Sequence, residues 1–167
     1  MARTHGQGME AAPLDDRAGI EELFARYAWA LDTADFDAFV ACFAPDGVFV
    51  QARVGAARRF AGAEGLRTFA TDLCGMVWFR GRQHHVSNVI FGPGRPGVGW
   101  ELWSYVLVTQ AKADSVSVEF IGSYYDRCVR QGTDWKFGLR CYRRWHEGPA
   151  APIGSGYGAD GHSPGPE

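Results

Sequence analysis

Apolar residues recur at helical spacing early in the chain and then give way to alternation. Ile20, Leu23, Phe24, Tyr27, Ala28 and Leu31 fall on one stripe of a 3.6-residue period, which predicts a helix over 16–32. Asp15 or Asp16 is placed to cap its start. Asp32 closes it, five residues and slightly more than one turn after Tyr27. After the break Thr33-Ala34-Asp35, either Asp35 or Thr33 can cap a second helix with Phe36, Phe39, Val40 and Phe43 inward. Pro45-Asp46-Gly47 reads as a turn. Over 48–54 the period drops to two, with Val48, Val50 and Ala52 on one face and Phe49, Gln51 and Arg53 on the other. A turn at 55–58 and a short return strand at 59–61 lead to a third helix over 62–73, with Leu66, Phe69, Ala70 and Leu73 packed.

The C-terminal half reads as four longer strands. In the first, 82–91, alternation puts His84, Val86, Asn88 and Ile90 on one face and His85, Ser87, Val89 and Phe91 on the other. In 100–111, Trp103, Tyr105 and Leu107 oppose Leu102, Ser104, Val106 and Val108. The strand 116–130 turns at 131–134 into its hairpin partner 135–144. Helices first and strands afterwards predict an α+β fold, with three N-terminal helices packed on a cone-shaped, curved antiparallel or mixed sheet. The interior of such a cone is an apolar pocket with a few polar groups. Residues 1–13 read as a flexible arm, 14–147 as the cone domain and 148–167 as a Gly/Pro-rich tail.

Composition narrows the function classes. A chain of 167 residues with 46% hydrophobic and 22% charged residues fits one domain with one sizeable core. A formal net charge of −2 argues against nucleic acid or an anionic membrane surface as partner. No apolar run is long enough to cross a membrane, and the N-terminus lacks the apolar stretch of a secretory signal, so a cytoplasmic location is expected. Cys42, Cys74, Cys128 and Cys141 are scattered without a CxxC pair and read as reduced and buried or half-buried. His84 and His85 point to opposite faces, so they cannot share a metal. The GxGxxG match at 156–161 lies in the tail with no βαβ unit around it, and there is no GxSxG elbow. Arg140, Arg143 and Arg144 read as a surface or dimer ion-pairing cluster.

The chemistry-bearing candidates are His84 on the third strand region, Asp32 at the exit of the first helix, and Tyr27 one turn earlier. Proton transfer next to a carbonyl needs a group that takes a C–H proton and delivers it elsewhere, which histidine does near neutral pH. A carboxylate orients the imidazole or acts as base itself, and a tyrosine hydroxyl stabilises the developing enolate oxygen. Such a trio needs no metal and no organic cofactor. Asn88 shares the expected His84 face and is a candidate to hold backbone or substrate. Phe49, Trp78, Trp103, Tyr105 and Tyr124 are candidates for the pocket wall around a small-molecule substrate, with Phe79 and Phe120 as further pocket or core aromatics.

The order of elements, with Ile20–Asp32, Asp35–Val48, Gln83–Asn88 (QHHVSN) and Gly122–Arg140, resembles the nuclear-transport-factor-2-like superfamily and within it the SnoaL-like group. The resemblance spans roughly residues 18–144. It implies a cone fold and a homodimer. In dehydratases of this superfamily, scytalone dehydratase and bile-acid dehydratase among them, a Tyr and an Asp near the end of the first helix face a His on the strand after the third. Tyr27, Asp32 and His84 stand at those positions, and the family's spacing to Asn88 favours His84 over His85. Ketosteroid isomerase, another relative, pairs an Asp base with a Tyr-containing oxyanion hole. Scytalone dehydratase carries a second histidine on the next strand, where this chain offers Trp103 or Tyr105. The resemblance implies a cofactor-independent lyase or isomerase of dehydratase type, acting on a small cyclic or polyketide-like metabolite. The same pocket could host a polyketide cyclase or an epoxide hydrolase, or serve only as a ligand-binding or dimerising module. The hydrolase reading ranks lower because its Asp–Arg–Asp set is not recognisable in this sequence.

Overall fold

The N-terminal helical stripe becomes α1, Leu14–Asp32, in the computed structural model, which describes residues 11–53 and 56–150. Ile20, Leu23, Phe24, Tyr27 and Leu31 are its buried face. Asp16 does not cap it. Its buried carboxylate accepts from the Gly97 N–H at 3.0 Å and from Trp100 Nε1 at 2.9 Å, tying the helix start to a distant turn. Asp35 does cap α2, Phe36–Ala41, by accepting from the Ala38 N–H at 3.0 Å. The third helix, α3, runs Gly62–Gly75 and buries Leu66, Phe69 and Ala70.

Six strands follow the order β2-β1-β6-β5-β4-β3: β1 Phe43–Arg53, β2 Ala56–Ala61, β3 Arg82–Arg95, β4 Gly99–Ala111, β5 Val116–Gln131 and β6 Asp134–Arg144. Every pair is antiparallel except β1 with β6, so the sheet is mixed. Pro45-Asp46-Gly47 does not end a strand. It lies within β1 as an irregularity in the pairing with β6, between Phe43↔Phe137 and Val48↔Leu139. The alternation in β1 holds: Phe49 joins the core under the helices and Val50 and Ala52 the cluster on the outer side.

The core fills the space between α1–α3 and one face of the sheet, where Tyr27, Phe39, Phe43, Phe69 and Phe137 make mutual ring contacts at centroid separations of 5.3–6.1 Å. Burying side chains of this size stabilises by about 1.5–3 kcal/mol each. A second cluster, Val50, Ala52, Trp103, Tyr125, Leu139, Cys141 and Ala150, covers part of the other face. The start of the tail is anchored there, with the Ala150 N–H donating to Ser123 Oγ at 2.8 Å. The four cysteines are free, three buried and Cys74 half-buried. Expectations for residues 1–10, 54–55 and 151–167 fall outside the described residues.

Strand β3 departs from simple alternation. Its pairing with β4 runs from Arg82↔Gln110 to Ser87↔Tyr105 and resumes at Ile90↔Trp103, so two residues oppose one. Asn88 occupies this bulge with φ +54°, in the left-handed region that asparagine tolerates better than most residues. Beyond it the parity inverts. Val86 and then Val89 and Phe91 pack on the helix-side core, while Ile90 is exposed.

Candidate functional site

Helix α1 ends where β3 begins, and β3 is the edge of the sheet. A 3₁₀ turn, Val77–Phe79, leads into Gly81 at φ +77°, where a Cβ would lie 2.3 Å from the Ala111 carbonyl oxygen. That turn delivers β3 against the end of α1. The two oxygens of Asp32 then divide between main chain and side chain of one residue. Oδ2 accepts from the His84 backbone N–H at 2.8 Å, and Oδ1 lies 2.6 Å from His84 Nδ1. A carboxylate at a helix C-terminus is unfavourable by about 0.3–1 kcal/mol. Two hydrogen bonds to a charged group, each worth about 1.5–3 kcal/mol, outweigh that. They also satisfy an edge-strand donor. Because a carboxylate only accepts, Nδ1 of the neutral imidazole carries the proton and Nε2 holds the lone pair. The side chains are nearly buried, 6% exposed for His84 and 14% for Asp32.

His84 lines a cavity of about 190 Å³ between the helices and the sheet. The ring sits between Phe79 and Phe120, at centroid distances of 6.2 and 6.5 Å. Leu31, Phe49, Phe69, Leu73 and Trp78 supply further apolar wall, and Tyr27 and Tyr124 present phenols to the same space. Gln51, Arg82, Glu119, Tyr142 and Arg144 are its remaining polar lining. Ligand cavities usually measure about 300–1,000 Å³, so this one suits a compact ligand.

Below the phenols lies a buried ion pair. Arg140 and Asp126, cross-strand partners on β6 and β5, are both fully buried with Nε 3.6 Å from Oδ1. The guanidinium carbon is 3.7 Å from the Tyr124 ring centroid, 4.2 Å from that of Tyr27 and 4.4 Å from that of Phe137. None of the pair's charged atoms makes a regular hydrogen bond. Burial raises the Asp126 carboxyl to about 7, and Arg140 pulls against that. Burial also pushes both phenols up, Tyr27 further than Tyr124. The two hydroxyls share one hydrogen bond. Both phenols stay neutral and each has one proton to donate, so the hydroxyl that accepts from the other keeps its own proton for a ligand.

Of the residues expected at the site, the structure brings Tyr27, Phe49, Trp78, His84 and Tyr124 onto one cavity and places Asp32 directly behind His84. Three do not reach it. Asn88 is exposed in the bulge, where the parity change turns it away from the His84 face. Trp103 packs on the outer cluster against Tyr125, at 5.3 Å between ring centroids. Tyr105 is 48% exposed on that outer side, 5.0 Å from the Trp145 ring. Both faces of β4 are apolar, so alternation separated the two sets without telling which one faces the helices. His85 points outward, its Nε2 3.0 Å from Thr109 Oγ1. Arg140 is not part of a surface cluster, since alternation along β6 turns Arg140 and Tyr142 inward. Asp126, alternating with Tyr124 and Cys128, was the available hint that a buried acid awaits it. Arg82, Glu119, Tyr142 and Gln51 were not singled out from the sequence.

Among the described residues no three His, Cys, Asp or Glu side chains form a metal-binding group, and no helix is long and apolar enough to cross a membrane. Three helices on a curved, six-stranded mixed sheet with a cavity between them define the cystatin-like or NTF2-like class of fold. Within it, the chain belongs to the SnoaL-like domain family, whose model matches residues 12–140. Solved structures agree. A protein of unknown function with a cystatin-like fold from Nostoc punctiforme is 26% identical, with a TM-score of 0.68 over 80% of this chain and 93% of that one. A candidate aromatic ring hydroxylase from Novosphingobium aromaticivorans is also 26% identical, with a TM-score of 0.67 over 81% and 92%. A candidate scytalone dehydratase from the same organism is 22% identical, with a TM-score of 0.62 over 78% and 85%, a likeness of fold. No curated protein matches the chain.

Proposed function

We propose that this chain is a cofactor-independent lyase or isomerase that moves a proton beside a carbonyl in a small cyclic or polyketide-like metabolite. The observation that carries this reading is the two-point hold of Asp32 on His84, with the imidazole on an aromatic cavity. Nε2 removes the acidic C–H proton, and Asp32 stabilises the imidazolium that forms. The C–H electron pair becomes an enolate, whose oxygen accepts a hydrogen bond from the Tyr27–Tyr124 pair. In a dehydration the enolate collapses, expels a β-hydroxide, and the imidazolium proton leaves with it as water. In an isomerisation that proton returns to another carbon. General acid–base groups of this kind contribute about 10²–10⁴-fold each.

The proposed enzyme works in the cytoplasm as a homodimer, joined through the apolar outer sheet face that exposes Tyr105, Ile121 and Trp145. The name of the candidate scytalone dehydratase supports the dehydratase form of the chemistry. The test is a screen of β-hydroxy and β,γ-unsaturated cyclic ketones with the wild type, Asp32→Asn and His84→Ala. Turnover that both variants lose while remaining folded supports the reading. A ligand-binding module would keep its function in both.

A further inference from the structure

The cavity is electrically lopsided. The His84–Asp32 pair shares it with two arginines, Arg82 next to it on β3 and Arg144 at the end of β6, and with one acid, Glu119. Glu119 accepts from Arg82 Nη2 at 3.1 Å, and the Ser117 hydroxyl holds its second oxygen at 2.8 Å. Arg82 also lies 4.5 Å over the Trp78 ring, so its charge is met and its position fixed. Arg144 is different. No carboxylate of the described residues is within ion-pair distance of it. Glu147, the acid nearest in sequence, pairs with Arg143 at 4.0 Å and faces His146 at 3.8 Å. Beside Arg144 the Tyr142 side chain is 8% exposed, and no hydrogen bond of regular geometry reaches its hydroxyl. Burial pushes that phenol up, so it stays a neutral donor, with the Arg144 charge opposing the push. A looser hydrogen bond from Arg144 to the phenol oxygen also opposes the push, and the phenol's own proton remains to donate.

Arg144, Tyr142 and Gln51 also line a second hollow, of about 310 Å³, that adjoins the cavity. They therefore stand at the passage between the two. The Arg144 guanidinium carbon is 5.7 Å from the Phe120 centroid, and the His84 ring is 6.5 Å from the same centroid. Phe120, on β5, is thus a neighbour of both groups, which come from strands on either side of it, β6 and β3.

We propose that Arg144 and the Tyr142 hydroxyl form a carboxylate subsite, so that the ligand of this cavity is a cyclic carboxylic acid whose anionic group lies at the passage, away from His84. A guanidinium fork matches a planar carboxylate, and the phenol supplies a third donor. One positive charge suits a monoanion better than a phosphate dianion. The proposal names the substrate class for the acid–base reading and rests on it only for what happens at His84. Binding itself needs no turnover.

The experiment is calorimetric titration of the full chain with 2-naphthoate and with its neutral isostere 2-naphthamide. It uses the wild type, Arg144→Gln and Tyr142→Phe, with the titrations repeated at low and high salt. Arg144 is exposed, so its variant keeps the fold. A hydrogen bond to a charged group is worth about 1.5–3 kcal/mol, so naphthoate binds the wild type at least about tenfold more tightly than naphthamide. Arg144→Gln removes that preference while changing naphthamide affinity less than about twofold. Tyr142→Phe reduces it in part, and salt weakens only naphthoate. Equal affinity for the two probes in the wild type overturns the proposal, as does undetectable binding of both, or an equal loss of both in Arg144→Gln. Those outcomes leave the His84 and Asp32 turnover test standing, and loss of that test leaves the probe preference standing.

Discussion

Asp32→Asn changes one oxygen to an NH₂ and reverses which nitrogen of His84 carries the proton. The His84 backbone N–H is a fixed donor, 2.8 Å from one oxygen. In the variant the single remaining oxygen must accept from it. The amide NH₂ then faces Nδ1, which is 2.6 Å from the carboxylate in the wild type. A donor at that position makes Nδ1 the acceptor and moves the neutral ring's proton to Nε2. The lone pair no longer faces the cavity, and the imidazolium loses its carboxylate. Loss of one hydrogen bond to a charged group is worth about 10–150-fold. The wrong tautomer adds to that, and an Asp-to-Asn change behind a catalytic histidine has lowered kcat by about 10⁴ in serine proteases. Turnover is therefore expected to fall by about 10²–10⁴-fold. Both contacts survive in altered form, so stability falls by about 1 kcal/mol and Tm by about 2–4 °C. Long-range nitrogen–proton correlation spectra of His84 read the tautomer directly and need no substrate. A variant with the proton still on Nδ1, or with turnover within about threefold of wild type, refutes the reasoning.

The buried pair gives a pH-dependent expectation. The folded-state pKa of Asp126 is raised to about 7, so the native state holds a proton that the unfolded chain releases in the ordinary carboxylate range. Its contribution to stability falls as pH rises through that interval. Arg140→Met leaves a lone buried carboxyl, costing about 3–5 kcal/mol at pH 8 but less at pH 5, where that carboxyl is neutral. Urea denaturation at both pH values checks this, and equal losses contradict it. At the bulge, Asn88→Gly should leave Tm nearly unchanged, whereas Asn88→Val should lower stability by about 1–2 kcal/mol, since φ is +54°. Thermal melts that rank the two alike count against the bulge. Light scattering should give a dimer for the wild type and a shift toward monomer for Ile121→Asp, and a monomeric wild type at high concentration removes the proposed interface.

Much of the fold could be read from periodicity because the helices and most strands obey it. The stripe from Ile20 to Leu31 has one apolar side, so its orientation on the core followed directly. Asp32 and His84 were legible because they stand where dehydratases of the superfamily the chain resembles carry an Asp at the first helix's exit and a His on the strand after the third helix. Where reading failed, a physical rule had two solutions. β4 is apolar on both faces because a second cluster covers its outer side, so Trp103 and Tyr105 looked like wall residues. Parity in β3 could not survive an extra residue, and nothing near Asn88 announces one except Asn itself. Arg140 reads as a surface residue because it stands near Arg143 and Arg144 in sequence, and such a basic cluster normally faces water. Its acid partner sits on another strand, fourteen positions earlier, where sequence spacing carries no sign of the pairing.

The guanidinium of Arg140 gives the cavity floor a property that no lining residue reveals. Its desolvation is completed when the chain folds, and rings of Tyr27 and Tyr124 stand over it at 4.2 and 3.7 Å. An incoming oxygen that gains negative charge on those hydroxyls would meet a positive potential already in place, with no solvent to rearrange. The floor can thus favour an anionic intermediate over its neutral precursor without exposing a cation that a bulk anion could quench.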